Sequence, residues 1–365
     1  MSRIAAATTA LPEHRYPQDE ITAAFADVVL PAAGETPGDD GADRRVLDRL
    51  HRATGVRSRH LAMPLQDYPS LTGFGDANDV FIRVGTRLGE QAVRGALDQA
   101  GLRPADVDLL MVSSVTGIAV PSLDARLVPV LGLRTDVRRL PVFGLGCVAG
   151  AAGVARVHDY LRGDPDGVAV LLAVELCSLT VQRSDTSMPN LVASGLFGDG
   201  AAAVVMVGER RAREMGLRGA PQVVASRSRF YPDTERVMGW DIGGSGFRIV
   251  LAASVADVVE ENLGDDVRGF LEDCDLKTSD IARWVAHPGG PKVLHAMQRA
   301  LDVPEGSFDL TWDSLATVGN LSSASVLHVL AATLTGPAPG RGDHGVMMAM
   351  GPGFCAELVL LRWDD

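Results

Sequence analysis

Leu102-Arg-Pro-Ala-Asp106-Val-Asp-Leu-Leu-Met-Val112 is answered later in the chain by Leu276-Lys-Thr-Ser-Asp280-Ile-Ala-Arg-Trp-Val-Ala286. In both, a helix ends, an aspartate follows, and a buried strand runs on into a special loop. Counting outward, 41 positions separate Asp106 from Cys147 and 40 separate Asp280 from Asn320. Each endpoint sits in a Gly-rich turn that opens a helix of small residues. Towards its end each half has a Gly-rich turn followed by a strand, Gly198-Asp-Gly200-Ala-Ala-Ala and Gly351-Pro-Gly353-Phe-Cys-Ala. Duplication explains this, with Cys147 and Asn320 at equivalent helix starts and two helix N-termini aimed into one cavity. The bland alternative is that any two βαβ units echo one another this well.

The rest of the chain alternates strands and helices. Apolar runs at 107–113, 168–174, 201–207, 284–286, 346–350 and 355–361 are nearly continuous, as strands buried on both faces require. Segments 82–100, 148–161, 254–274, 291–301 and 322–334 repeat apolar residues every three or four positions and predict helices. The fold class is α/β. Loops are expected at 31–42, 208–221 and 336–342, where turn formers gather. The second divides the chain into an N-terminal half, 1–215, and a C-terminal half, 216–365.

At 365 residues the chain can bury a large core. Its net charge of −12 argues against broad binding to nucleic acid or anionic membranes. No stretch approaches the roughly 20 apolar residues of a membrane span, and the N-terminus does not read as a signal peptide. Cys147, Cys177, Cys274 and Cys355 lie far apart with no CxxC pair, which predicts free thiols, no structural zinc and a cytoplasmic setting.

Three segments set one polar side chain among small residues: Gly144-Leu-Gly-Cys147-Val-Ala-Gly150, Ala286-His287-Pro-Gly-Gly290 and Val318-Gly319-Asn320-Leu-Ser-Ser323. Cys147 at a helix start is expected to favour thiolate, because unpaired N–H groups and the helix dipole stabilise the anion. His287 follows a buried strand, and Pro288 and the glycines after it cannot continue the sheet, so it stands at a strand's C-terminal end. Asn320 is either an oxyanion donor or merely the N-cap of the next helix. The other histidines (His14, His51, His60, His158, His295, His328 and His344) fall in helical or loop contexts and read as structural or exposed. A thiol, an imidazole and a carboxamide suit acyl transfer through a thioester. The basic stretch from Asp43 to His60 is either a solvated helix face or an anion site for a nucleotide-bearing thioester.

The Cys147 motif, His287-Pro-Gly-Gly-Pro291, Gly319-Asn320-Leu-Ser-Ser323, Gly195-Leu-Phe197-Gly-Asp-Gly200 and Gly351-Pro-Gly353 together resemble type III polyketide synthases, over roughly residues 44 to 363. The resemblance implies a thiolase-like five-layered αβαβα fold of two duplicated halves, a homodimer, and no cofactor beyond CoA thioester substrates. Cys147 would hold starter and growing chain. His287 would keep it as thiolate and, with Asn320, stabilise the enolate formed when malonyl-CoA loses CO2. Phe197 and Phe247 resemble the family's gatekeeping aromatics. Arg49 matches a basic CoA-contacting position, while Ala53 occupies a second such position.

Segments 115–126 and 174–180 look like bacterial alkylpyrone and alkylresorcinol synthases, which take long fatty acyl-CoA starters. Thr116 and Cys177 occupy the positions that would keep such a tunnel open, and Thr180, Met238 and Ser322 join them as expected pocket residues. Met238 is bulky where glycine is common, and Ala349-Met350-Gly351 departs from the usual Gly-Phe-Gly; both are expected to reshape the pocket. The extender, malonyl or methylmalonyl, and the mode of ring closure stay open. An initiating ketoacyl synthase acting on an acyl carrier protein shares the triad. A nicotinamide oxidoreductase would use Gly144-x-Gly146-x-x-Ala149 and Glu175 as a dinucleotide fingerprint, leaving His287 and Asn320 unexplained. A non-catalytic scaffold explains none of the three.

Overall fold

The computed structural model describes residues 1–30, 42–337 and 339–364. The loop expected at 31–42 therefore lies outside the described residues, except for Ala42, where a helix begins.

Among the described residues, nine strands form one mixed sheet. Their order is β11 (Ile281–Ala286), β12 (His344–Gly351), β13 (Cys355–Arg362), β8 (Gln222–Phe230), β1 (Ser2–Ala10), β7 (Asp199–Gly208), β6 (Val168–Leu176), β4 (Leu109–Ser113) and β5 (Arg138–Val142). β1 and β8 pair only through Ser2 with Val223 and Arg3 with Gln222, so the sheet is nearly divided there. On either side the same pattern repeats. β4 runs parallel to β6, which is antiparallel to β7, itself antiparallel to β1. Likewise β11 runs parallel to β12, which is antiparallel to β13, itself antiparallel to β8. The duplication extends to the turns before β4 and β11. Arg103 N–H donates to Asp106 Oδ2, and Lys277 N–H to Asp280 Oδ2, both at 2.8 Å.

Strand alternation builds the layers. In β6, Ala169, Leu171 and Ala173 face one core, while Val168, Val170, Leu172 and Val174 face another. The first core is the centre of the molecule, where α5 (Ala149–Gly163) and α11 (Ser323–Thr335) lie between the two half-sheets. The second is closed by α3 (Phe74–Ala100) and α4 (Leu123–Leu131). In the other half, Met347, Ala349, Val359 and Leu361 face the centre. Val346, Met348, Leu358 and Leu360 face α8 (Val255–Glu272), α9 (Pro291–Leu301) and α10 (Asp309–Val318). The result is five layers, each buried Leu or Val contributing roughly 1.5–3 kcal/mol.

The remaining elements cover the end of the sheet where β6 and β11 finish. These are α1 (Gln18–Val29), α2 (Ala42–Ala53), α6 (Met188–Leu196), the ribbon of β2 (His14–Pro17) with β3 (Ser58–Leu61), and the hairpin of β9 (Met238–Gly243) with β10 (Gly246–Leu251). A short helix, α7 (Glu209–Glu214), occupies part of the loop expected at 208–221. Three histidines expected in helices or loops lie on strands instead: His14 on β2, His60 on β3 and His344 on β12.

Candidate active site

Cys147 lies in a 3-10 turn, Gly146–Val148, that leads into α5. Gly146 adopts φ 54, and a Cβ there would meet Pro352 Cδ at 2.6 Å. Gly351, ending β12, packs so closely on the same turn that a Cβ would lie 2.7 Å from Val148 N. Gly150 brings α5 against α11, where an added Cβ would meet Ser323 O at 2.5 Å. These contacts explain the small residues around Cys147. They also bring the openings of α5 and α11 together, and Cys147 Sγ lies 3.7 Å from Ser322 Oγ.

Asn320 precedes α11 by three residues and does not cap it. Its Oδ1 accepts from Ser322 N–H at 2.8 Å and from Ser325 Oγ at 3.3 Å. Those bonds fix the carboxamide's orientation and leave its N–H2 group without a partner among the described residues. The backbone of Asn320 is bridged to Phe197. Asn320 N–H donates to Leu196 O, and Gly198 N–H donates to Asn320 O, both at 2.9 Å. Gly198 is required here, since a Cβ would stand 2.3 Å from Val318 O.

His287 follows β11 as expected, its N–H bonded to Met348 O of β12 at 3.0 Å. That pairing sets it three residues before Gly351, beside the Cys147 turn, while Gly290 rests on the Leu196 side chain. The ring is buried, and Nδ1 has no partner among the described residues. The three segments thus meet at one end of the sheet.

Burial works against the expected thiolate. Burial pushes the Cys147 thiol up to about 12, with Ser322 pulling it down and the Glu175 carboxylate pushing it further up. Burial alone drives the His287 imidazole down to about 3. Burial thus favours the neutral thiol and the neutral imidazole, since a 3-10 turn in an apolar interior with a carboxylate nearby offers an anion little support. Glu175 is itself raised to about 7 by burial. It is held by Ser323 Oγ at 2.5 Å, Thr116 Oγ1 at 2.9 Å and Val115 N–H at 3.1 Å.

Cys147 and Ser322 open onto a cavity of about 580 Å³. Thr116, Cys177, Thr180, Phe197, Met238 and Phe247 also line it, as expected. His287 and Asn320 are not among its lining residues, and both are buried. Phe247 is wedged edge-on against Phe74, with ring centroids 5.3 Å apart, and its carbonyl accepts from Gln182 Nε2 at 3.2 Å. Ala349 and Met350 were expected to reshape the pocket, but they pack in the central and outer cores. Their side chains follow strand alternation away from the cavity.

The basic stretch divides. Arg49 lies exposed on α2, outside the cavity lining. Arg59, which reads as part of a charge run, is buried in the cavity wall, donating to Phe197 O at 2.5 Å and Gln18 Oε1 at 3.0 Å. Sequence reading also missed Tyr68, Ser178 and Gln182 on the wall. The hairpin carrying Met238 and Phe247 had a signal, the Gly243-Gly244 pair between alternating segments. Among the described residues, no group of three or more His, Cys, Asp or Glu could hold a metal ion. No helix among the described residues is long and apolar enough to cross a membrane.

Comparison with known proteins agrees with this geometry. Residues 1–210 match the family described as chalcone and stilbene synthases, N-terminal domain, and residues 222–363 match its C-terminal domain. The chain is 56% identical over 362 residues to a 1,3,6,8-tetrahydroxynaphthalene synthase of Streptomyces peucetius subsp. caesius, covering 99% of this chain and 93% of that protein. It is 30% identical over 356 residues to a phloroglucinol synthase of Pseudomonas fluorescens, covering 98% and 99%. The crystal structure of the tetrahydroxynaphthalene synthase of Streptomyces coelicolor, a bacterial type III polyketide synthase, superposes with a TM-score of 0.89 at 29% identity, covering 100% of this chain and 99% of that one. This chain belongs to the chalcone and stilbene synthase family and is a type III polyketide synthase, an acyltransferase.

Proposed function

We propose that this synthase closes its chain into a polyhydroxylated aromatic ring system, the kind of product that the name of its Streptomyces peucetius relative gives for that protein, and that malonyl-CoA serves it as both starter and extender. The observation that carries this reading is the cavity wall. Thr116, Ser178, Thr180, Gln182, Asn190 and Ser322 line it with hydroxyls and amides. Two guanidinium groups, Arg59 and Arg183, join them, and the wall includes no carboxylate among the described residues. Most of these groups already donate within the protein, Thr116 to Glu175, Ser178 to Asp199, Thr180 to Cys177 O, Gln182 to Phe247 O and Asn190 to Gln182 O, so they give the wall fixed dipoles that suit a poly-β-keto chain better than an alkyl chain.

In this reading Cys147 attacks the CoA thioester. His287, whose neutral form burial favours, takes the Cys147 thiol proton as general base when the bond to the acyl carbon forms. The free N–H2 of Asn320 then donates to the developing oxyanion or to the enolate left by CO2. Neither step requires a redox group.

The long acyl-CoA starter suggested by the Thr116 and Cys177 segments is the second reading. It draws on Ile21, Ala24, Phe25, Val28, Leu61 and Leu65, which make one arm of the cavity apolar. Assays with malonyl-CoA alone and with a ladder of acyl-CoA lengths separate the two. Efficient turnover of malonyl-CoA alone supports the first reading; strict dependence on an added long acyl-CoA overturns it.

The enzyme is further proposed to act as a homodimer. β5 is an edge of the sheet among the described residues, and Leu140, Phe143, Ile118 and Val120 are exposed apolar side chains on or following β5 and its neighbour β4, Val120 being 98% exposed. A second copy laid on this patch would cover both edge and apolar side chains. Sedimentation should give a dimer that Leu140→Asp with Val120→Asp converts to monomer; a wild-type monomer would refute it.

A further inference from the structure

We propose that Tyr68, Ser178 and Asp199 form a proton relay in the cavity wall that serves ring closure of the polyketide, with Tyr68 as the group that meets the chain. The inference rests on the condensing activity proposed above and concerns the step after it.

Tyr68 and Ser178 both line the cavity, and Asp199 is fully buried behind them. Tyr68 Oη lies 2.5 Å from Ser178 Oγ, which donates to Asp199 Oδ2 at 2.5 Å. A carboxylate only accepts, so the Ser178 proton points to Asp199 and the Tyr68 proton must point to Ser178. The phenol oxygen therefore remains an acceptor, shared between the backbone N–H groups of Met63 and Ala62 and a chain in the cavity. Asp199 is braced by Ser178 N–H at 2.8 Å and Ala62 N–H at 2.6 Å. Burial raises its carboxyl to about 6, against those bonds and the nearby Arg59 charge. Burial and the Asp199 charge hold the Tyr68 phenol well above its ordinary value, so it rests protonated.

A methylene between two chain carbonyls supplies the substrate proton. As that C–H bond breaks, its proton joins Tyr68 Oη, the Tyr68 proton passes to Ser178 Oγ, and the Ser178 proton passes to Asp199. The C–H electron pair becomes the enolate that attacks a second carbonyl. Reversal of the relay protonates the resulting alkoxide. No oxidant or metal enters, and both hydroxyls end as they began.

A purely fastening role accounts for Asp199, which ties Ala62 and Ser178 together, whereas the Tyr68 hydroxyl adds only its contacts with the Met63 and Ala62 N–H groups to a segment fastened elsewhere. Its segment is already held by Arg183, which donates to the carbonyls of Tyr68 and Pro69, and by Leu65 N–H on Tyr16 Oη. Tyr68→Phe removes one oxygen and leaves those ties intact.

The test uses full-length wild type, Tyr68→Phe and Ser178→Ala with malonyl-CoA, measuring CO2 release and the ratio of ring-closed to open-chain or lactone products. The relay predicts that this ratio falls at least about tenfold in each variant, within the range of general acid–base effects. The double variant should be no worse than either single one, as expected of groups acting as a unit. An unchanged ratio in Tyr68→Phe, even with slower CO2 release, overturns the relay and leaves a structural role. If the wild type accepts only a long acyl starter, the starter reading fails, and the same product ratio on that starter still decides the relay.

Discussion

Cys147 and Ser322 face one another across the openings of the two central helices, Sγ lying 3.7 Å from Oγ. Ser322 pays a backbone cost to be there, with φ 49 and ψ −124, a conformation that L-residues rarely adopt. The turn from Asn320 to Ser325 holds it in place, so the carboxamide and the hydroxyl that faces the thiol are positioned by one piece of backbone.

That arrangement depends on Gly150. A Cβ there would meet the Ser323 carbonyl and Val326 Cγ1 at 2.5 Å, and backbone cannot yield cheaply. Gly150→Ala should destabilise the protein by about 1–3 kcal/mol in urea unfolding and slow acyl loading by moving Ser322. A variant as stable and as fast as wild type would show that the two helices tolerate separation.

Asn320 has separable duties, since Oδ1 holds the turn while the N–H2 group is free. Asn320→Asp keeps the acceptor and removes the donor. Stability should change by about 1 kcal/mol or less, while kcat falls roughly 10²–10³-fold, as when an oxyanion donor is lost. Unaltered kcat would remove Asn320 from the chemistry.

Glu175 gives stability a pH signature. Its carboxyl rises from 4.5 to about 7 on folding, chiefly through burial, so the folded state binds its proton more tightly than the unfolded chain does. The stability this contributes is complete below about pH 4.5 and is lost as pH rises through 7, on the order of 3 kcal/mol in all. Lowered histidines such as His51 and His158 slope the other way. The comparison is therefore wild type against Glu175→Gln, by unfolding midpoints from pH 4 to pH 8. The downward slope should shrink in the variant; identical slopes would mean that Glu175 titrates normally.

Much of the scaffold could be read from the chain because its strands are buried on both faces. Runs such as Val168 to Val174 contain no polar residue that could mislead. The duplication was legible in Asp106 and Asp280, which close the same turn. β1 escaped notice because its alanines and threonines favour neither period, and its partners β7 and β8 are distant in sequence. Arg59 looked like one member of a charge run, and only the fold removes it from water. The opposing pull on the Cys147 proton was hidden for a similar reason: local helix geometry argues for thiolate, whereas burial and Glu175 are tertiary facts. Tyr68 and Ser178 carry no motif, and their alignment with Asp199 exists only in three dimensions.

The central claim is that Cys147 carries the acyl chain. Intact-mass analysis after brief exposure to malonyl-CoA, followed by peptide mapping, tests it most directly. The wild type should acquire a covalent acyl adduct on the peptide containing Cys147, and Cys147→Ala should acquire none and form no product. An adduct on another residue, or product formation by Cys147→Ala, would contradict the account.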